Sequence, residues 1–260
     1  MKIGIFDSGI GGLCVLHKAM QVLPQAEYIY YADVDNVPYG TKPRTVILEF
    51  CKGIMDYMVT QNVDAVVVAC NTATSVAIKD LRSMYSFPII GMEPAVKKAR
   101  EEHPVGRTLV MATPVTVQGD KLKYLLERVD QNHLVDLLPM PDFVGFAEND
   151  AIDSLEVEKY IIDRLAPLKL EEYSSLVLGC THFNYFKPVL RKILPDRVCF
   201  VDGIEGTVAQ LSRQLSNISL VDTPSDCKVS YLFSGRKATD EQLAFINRLL
   251  SRLDAADLIK

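Results

Sequence analysis

Short apolar, β-branched runs alternate along this chain with longer amphipathic stretches, and the alternation predicts an α/β fold. The expected form is two similar doubly wound domains with parallel-rich sheets and the active site in the cleft between them. The runs are apolar on both faces, as parallel strands covered by helices must be. In addition, two runs end the same way: "VVVACNTAT" turns polar at Cys70, and "LVLGCTHF" does so at Cys180.

The strands expected in order are "KIGIF" (2–6), "YIYYA" (28–32), "DAVVVA" (64–69), "FPIIGM" (87–92), "TLVMAT" (108–113), "SLVLG" (175–179) and "RVCFV" (197–201). Stretches of helical length and spacing lie at 44–61, 73–85, 117–129 and 155–165. Composition breaks near 92–104 and 202–206, and "ACNT" is echoed by "GCTH", a weak internal repeat. These marks divide the chain into 1–94 together with a returning segment 205–260, and a second domain 95–204.

Composition narrows the function. At 260 residues, 48% hydrophobic and 23% charged, the chain is long enough to bury one large or two smaller cores. A net charge of -5 argues against a nucleic-acid or anionic-membrane surface, which needs a basic footprint, and leaves a small-molecule ligand. No run approaches the roughly 18 apolar residues of a membrane span, and Asp7 interrupts the stretch where a signal peptide needs apolar residues. The expected location is the cytoplasm. The six cysteines form no CxxC pair and no zinc-type ligand set, so free thiols and no metal are expected.

A thiol at a strand end before a helix faces unpaired N–H groups and the positive end of the helix dipole, which favour anions. Such a thiol is expected to ionise more readily than usual. The same donors, with Asn71, Thr72 and Thr181, can hold a carboxylate beside it, so each edge combines a base with an anion cradle. "IFDSGIGG" adds Asp7 and Ser8 before glycines that permit close backbone approach. A dinucleotide fingerprint with Asp33 as ribose acid competes for this loop, but the third glycine position holds Cys14 and Asp7 would repel a pyrophosphate. "VPYGTKP" supplies Pro38, Tyr39 and Gly40 in a turn, and "MATPVTV" supplies Thr113 and Thr116.

Together "GIFDSGIGG", "VPYGTKP", "ACNTAT", "ATPVTV" and "LGCTH" resemble the cofactor-independent glutamate racemases of the aspartate/glutamate racemase superfamily. The resemblance implies a pyridoxal-free, metal-free enzyme that supplies D-glutamate for peptidoglycan, with two α/β domains, often dimeric. It assigns Cys70 and Cys180 as catalytic thiols, assisted by Asp7 and His182. It places substrate at Asp7 with Ser8, Pro38, Tyr39 with Gly40, Asn71 with Thr72, and Thr181 with His182. Ser8, Tyr39, Gly40, Thr113 and Thr116 are expected to hold the side-chain carboxylate, and Asn71, Thr72 and Thr181 the α-carboxylate. Glu148 stands where an assisting glutamate is expected. The chain departs from the usual pattern at Ala32, Thr74, Phe183 and Asn184. Inversion without an electron-sink cofactor requires a base on one face of the α-carbon and an acid on the other. Cys70 is expected to serve the D enantiomer and Cys180 the L enantiomer. The alternatives are a racemase acting on aspartate or a related acid, and a noncatalytic binding protein on the same scaffold.

Overall fold

In a computed structural model, residues 1–216 and 227–259 are described; 217–226 and 260, which fall in the expected returning segment, lie outside them. The first half is β1 (Lys2–Asp7), α1 (Leu13–Val22), β2 (Glu27–Ala32), α2 (Arg44–Thr60), β3 (Ala65–Val68), α3 (Asn71–Met84) and β4 (Ile89–Gly91). After α4 (Val96–Glu102) come β5 (Arg107–Ala112), α5 (Pro114–Gln118), α6 (Asp120–Val129), β6 (Val135–Pro139), α7 (Phe143–Glu148) and α8 (Leu155–Leu165). Then follow β7 (Tyr173–Leu178), α9 (Lys187–Ile193), β8 (Cys199–Val201), α10 (Ile204–Leu215), β9 (Lys228–Phe233), β10 (Arg236–Lys237) and α11 (Asp240–Ala256).

Two sheets result, and their order makes the internal repeat explicit. The first runs β10-β9-β2-β1-β3-β4 and the second β6-β5-β7-β8. Strands β1 to β4 and β5 to β8 are thus wound alike, second-first-third-fourth, with parallel pairing throughout. Cys70 follows the third strand of one repeat and Cys180 the third strand of the other. Segment 228–237 extends the first sheet, β9 pairing parallel to β2 from Glu27 opposite Lys228 to Ala32 opposite Phe233.

Three strands escaped the sequence expectation: β10 is only two residues long, and the other two share a reason. β6 carries Asp136 as its second residue, and β9 begins by alternating polar with apolar residues, so neither reads as a run apolar on both faces. Asp136 is tolerated because Arg107 on the neighbouring strand binds both its oxygens, at 2.6 and 2.7 Å, and Tyr173 donates at 2.8 Å. The helix expected over 117–129 is broken at Gly119, which ends α5 and precedes α6 in extended backbone. A Cβ there would meet Ser75 Oγ at 2.8 Å, so the break seats this corner against α3.

Side chains on one face of both sheets form a single core that runs from Ile3, Ile5 and Leu13 to Met111, Phe143 and Leu178. Smaller cores fill the opposite face of each sheet. Within the shared core Phe143 stacks on Phe186 at 4.3 Å between centroids and meets Phe183 edge-on at 5.0 Å. The final helix α11, opened by a Thr239–Gln242 capping box, packs on α1 and on the turn 181–186, bridging the halves. Among the described residues no helix is long and apolar enough to cross a membrane.

The aromatic cluster yields a direct stability test. Phe143→Ala is expected to lower the unfolding free energy in urea by about 3–5 kcal/mol through lost transfer and a residual cavity. Leu155→Ala, at a position 84% exposed, is expected to stay within about 0.5 kcal/mol of the parent.

Candidate functional site

Cys70 stands between β3 and α3 in extended backbone, and its sulfur caps the helix by accepting from Ala73 N at 3.4 Å. The thiol donates to Ser8 Oγ at 3.6 Å, and Ser8 donates to Asp7 Oδ1 at 3.4 Å, so a hydrogen-bonded line runs from sulfur through hydroxyl to carboxylate. The helix terminus does not lower this thiol's pKa, contrary to expectation from sequence. Burial dominates and, with the negative charge of Asp7, pushes Cys70 up to about 12 against the smaller pull of Ala73 N–H and Ser8. Asp7 has no exposed surface, and burial likewise raises its carboxyl above its ordinary value, opposed by His182, Gly9 N–H and Thr181.

Cys180 occupies the equivalent strand end, but a 3-10 turn over Thr181–Phe186 intervenes before α9, and the thiol makes no capping bond. Its partner is His182, whose Nδ1 lies 3.8 Å from the sulfur. His182 Nε2 lies 2.6 Å from Glu148 Oε1, which also accepts from Ile10 N at 2.8 Å. Burial alone would lower the His182 pKa. The hydrogen bonds to Cys180 and Glu148 overcome it and carry the imidazole well above its ordinary value, which favours an imidazolium donating to both. A second line therefore runs from sulfur through imidazole to carboxylate, and Glu148, at the end of α7, is part of it.

The two lines meet across the lobes, because Thr181 Oγ1 donates to Asp7 Oδ2 at 3.0 Å. The glycines of the first loop serve this meeting. A Cβ on Gly11 would collide with the His182 ring and Thr181 Oγ1, and one on Gly9 would collide with the Glu148 carboxylate. Their bareness admits side chains of the opposite lobe, where the sequence suggested approach to a ligand. Two buried tyrosines hold the loop: Tyr30 donates to Gly9 O at 2.8 Å and Tyr185 to Ile10 O at 2.7 Å.

Of the other expected residues, Thr72, Thr113 and Thr116 form one buried hydroxyl cluster with contacts of 2.8, 3.0 and 3.4 Å. Thr113 also caps α5, accepting from Thr116 N at 3.4 Å. Gly40 lies against Thr113, where a Cβ would approach the threonine Cβ to 2.6 Å. Asn71 is buried, and among the described residues neither its amide oxygen nor its nitrogen has a hydrogen-bond partner. Tyr39 differs from expectation: its hydroxyl donates to Asp33 Oδ2 at 2.5 Å and is committed there. Pro38 lines a cavity of about 660 Å³ with Thr41, Asp142, Gly145, Phe146 and Asn149. Asp33, Tyr30 and Tyr185 were not assigned to the site from sequence. Asp33 carried a detectable signal, since it directly follows β2 as Asp7 ends β1, whereas the tyrosines read as ordinary core aromatics.

The model of the Asp/Glu/Hydantoin racemase family matches residues 14–211. The chain is 51% identical to a glutamate racemase of Campylobacter curvus over 98% of both chains. It is similar in structure to the Escherichia coli glutamate racemase solved with L-glutamate and the activator UDP-MurNAc-ala, with a TM-score of 0.82 at 27% identity over 97% of this chain and 94% of that one. A Francisella tularensis glutamate racemase solved with D-glutamate gives a TM-score of 0.81 at 26% identity, covering 96% and 93% respectively. On a family match spanning most of its length and relatives alike from end to end, the chain belongs to the Asp/Glu/Hydantoin racemase family.

Proposed function

We propose that this chain is a glutamate racemase, interconverting L- and D-glutamate through Cys70 and Cys180 and supplying D-glutamate for peptidoglycan synthesis. One observation carries the reading: equivalent strand ends of a repeated fold each bear a thiol with its own polar line, and Asp7–Thr181 joins the two. The composition breaks and the repeated winding support two domains, 1–94 with 205–260 and 95–204; the enzyme works in the cytoplasm, and its resemblance to the family supports a homodimer.

In the D-to-L direction the Cys70 thiolate takes the α-proton and becomes a thiol. The electron pair stays on the substrate, spread from the α-carbon into its carboxylate. The Cys180 thiol gives a proton to the opposite face and becomes the thiolate, so one proton enters and one leaves with no redox change. The reverse direction exchanges the roles. Ser8 and Asp7 reset Cys70. Asp7's raised proton affinity narrows its gap to a thiol that burial keeps protonated. His182, held by Glu148, resets Cys180. Asn71, Thr72 and Thr181 bind the α-carboxylate, while Ser8, the Tyr39–Gly40 backbone, Thr113 and Thr116 bind the distal one. Each unsatisfied polar group on a buried amide costs about 1–3 kcal/mol, and substrate relieves this cost at Asn71.

Circular dichroism of L-glutamate incubated with the purified protein and no added cofactor is expected to decay to zero. A constant signal, or a comparable kcat/KM for aspartate, would overturn the assignment to glutamate.

The two-thiol scheme has its own signature in D2O. Cys70→Ala is expected to stop racemisation yet exchange the α-hydrogen of L-glutamate slowly, and Cys180→Ala to do the same for D-glutamate, as followed by proton NMR. Exchange of the same enantiomer in both variants would contradict the scheme.

Burial of Cys70 also predicts a pH dependence of stability. The folded thiol keeps its proton up to about 12, whereas the unfolded one loses it near 9.0, so unfolding releases a proton between these values and stability falls as pH rises. Replacing this thiol by Cys70→Ser is expected to spare about 2 kcal/mol of the loss between about pH 8 and pH 10.5, read from urea midpoints. Equal losses in both proteins would show that the Cys70 proton is not held.

A further inference from the structure

We infer that Ser234, on the returning C-terminal segment, is a positioning residue for the substrate-binding turn of the opposite end of the chain. Ser234 and Gly235 turn the chain between β9 and β10, with φ of +46° and +82°. The turn is tied to the end of β2, where Ser234 N donates to Ala32 O at 2.7 Å. From there the Ser234 hydroxyl donates to Asp33 Oδ1 at 3.2 Å and accepts from Asp35 N at 3.0 Å.

Asp33 is 4% exposed, and among the described residues the groups that donate to its carboxylate are neutral. Asn36 Nδ2 reaches both oxygens at 3.0 and 3.1 Å, Tyr39 donates at 2.5 Å and Ser234 completes the set. A buried carboxylate needs such donors, so removing one leaves an oxygen under-solvated and loosens the rest of the network. What hangs on the network is the turn at Tyr39 and Gly40: Tyr39 is tethered through its hydroxyl, and Gly40 is pressed on Thr113. Asp33 N also donates to Asp7 O at 3.0 Å, so the same anchor adjoins the Cys70 line. Ser234 thus fixes, through Asp33 and Tyr39, backbone donors that would grip the distal carboxylate. This role rests on the glutamate-binding assignment made above for Tyr39 and Gly40.

The test uses Ser234→Gly in the full chain, because glycine accepts the positive φ while losing the hydroxymethyl group that carries the donor. The expected result is a KM for glutamate raised about three- to tenfold in both directions, with kcat within about twofold and little change in Tm. Arg236→Ala, which removes the exposed bidentate pair with Asp35 on the same hairpin, is expected to leave KM unchanged. A wild-type KM in Ser234→Gly, or an equal rise in Arg236→Ala, would overturn the proposal. Amide hydrogen exchange over residues 34–42 reads the anchor without substrate. Faster exchange in Ser234→Gly is expected, and unchanged exchange would overturn the role even if the parent protein proved inert toward glutamate. Inertness of the parent with faster exchange would instead sink the glutamate assignment and retain the anchor.

Discussion

Asp7 is a carboxylate without exposed surface at the junction of the two lobes, and much of the site is arranged to keep it there. Burying an anion is costly unless donors surround it. Here Gly9 N and Ser8 supply them from its own loop and Thr181 from the other lobe. Those donors impose geometry on their surroundings. The loop must turn back on Asp7, so Gly12 lies where a Cβ would crowd the Asp7 side chain at 2.7 Å. Thr181 must reach across, so His182 and Glu148 arrive against Gly9 and Gly11 and allow no side chain at either. Solvation of one carboxylate thereby brings two buried thiols, each with its own hydrogen-bonded line, to the junction of the lobes.

That burial explains why the electrostatics of the Cys70 thiol defied a local reading. From sequence, Cys70 at a helix start next to polar residues suggested a lowered pKa. The helix contribution exists, as the Ala73 N–H bond to sulfur shows, but complete desolvation and nearby Asp7 outweigh it. Depth of burial depends on tertiary packing, which a nine-residue motif does not encode. The alternation of apolar runs, by contrast, is a local property, and it located seven of the eight strands of the repeated sheets. It passed over β6 because Asp136 there is paid for by Arg107 on a neighbouring strand.

Glu148 illustrates a different limit. α7 delivers it to His182 because Phe143, five residues earlier, is locked into the core against Phe183 and Phe186. The aromatic residues that set its position lie on two separate stretches, one beside Glu148 and one beside His182, and resemble any core. Tyr39 shows the converse. Its motif is easily recognised, but the hydroxyl that draws attention is spent on Asp33, leaving the backbone of its turn as the chemically available part.

The twofold winding of the sheets has a thermodynamic consequence for a catalyst of mirror images. Enantiomers in water have equal free energies, so the ratio of forward to reverse kcat/KM is fixed at unity whatever the protein does. The two lines are nonetheless unlike, hydroxyl to carboxylate at one thiol and imidazole to carboxylate at the other. Their differences can make one hand bind more tightly and turn over more slowly, but never favour its accumulation. An asymmetric pair of bases on a pseudosymmetric frame can therefore adjust which enantiomer saturates the enzyme first, while only removal of product can set the direction of flux.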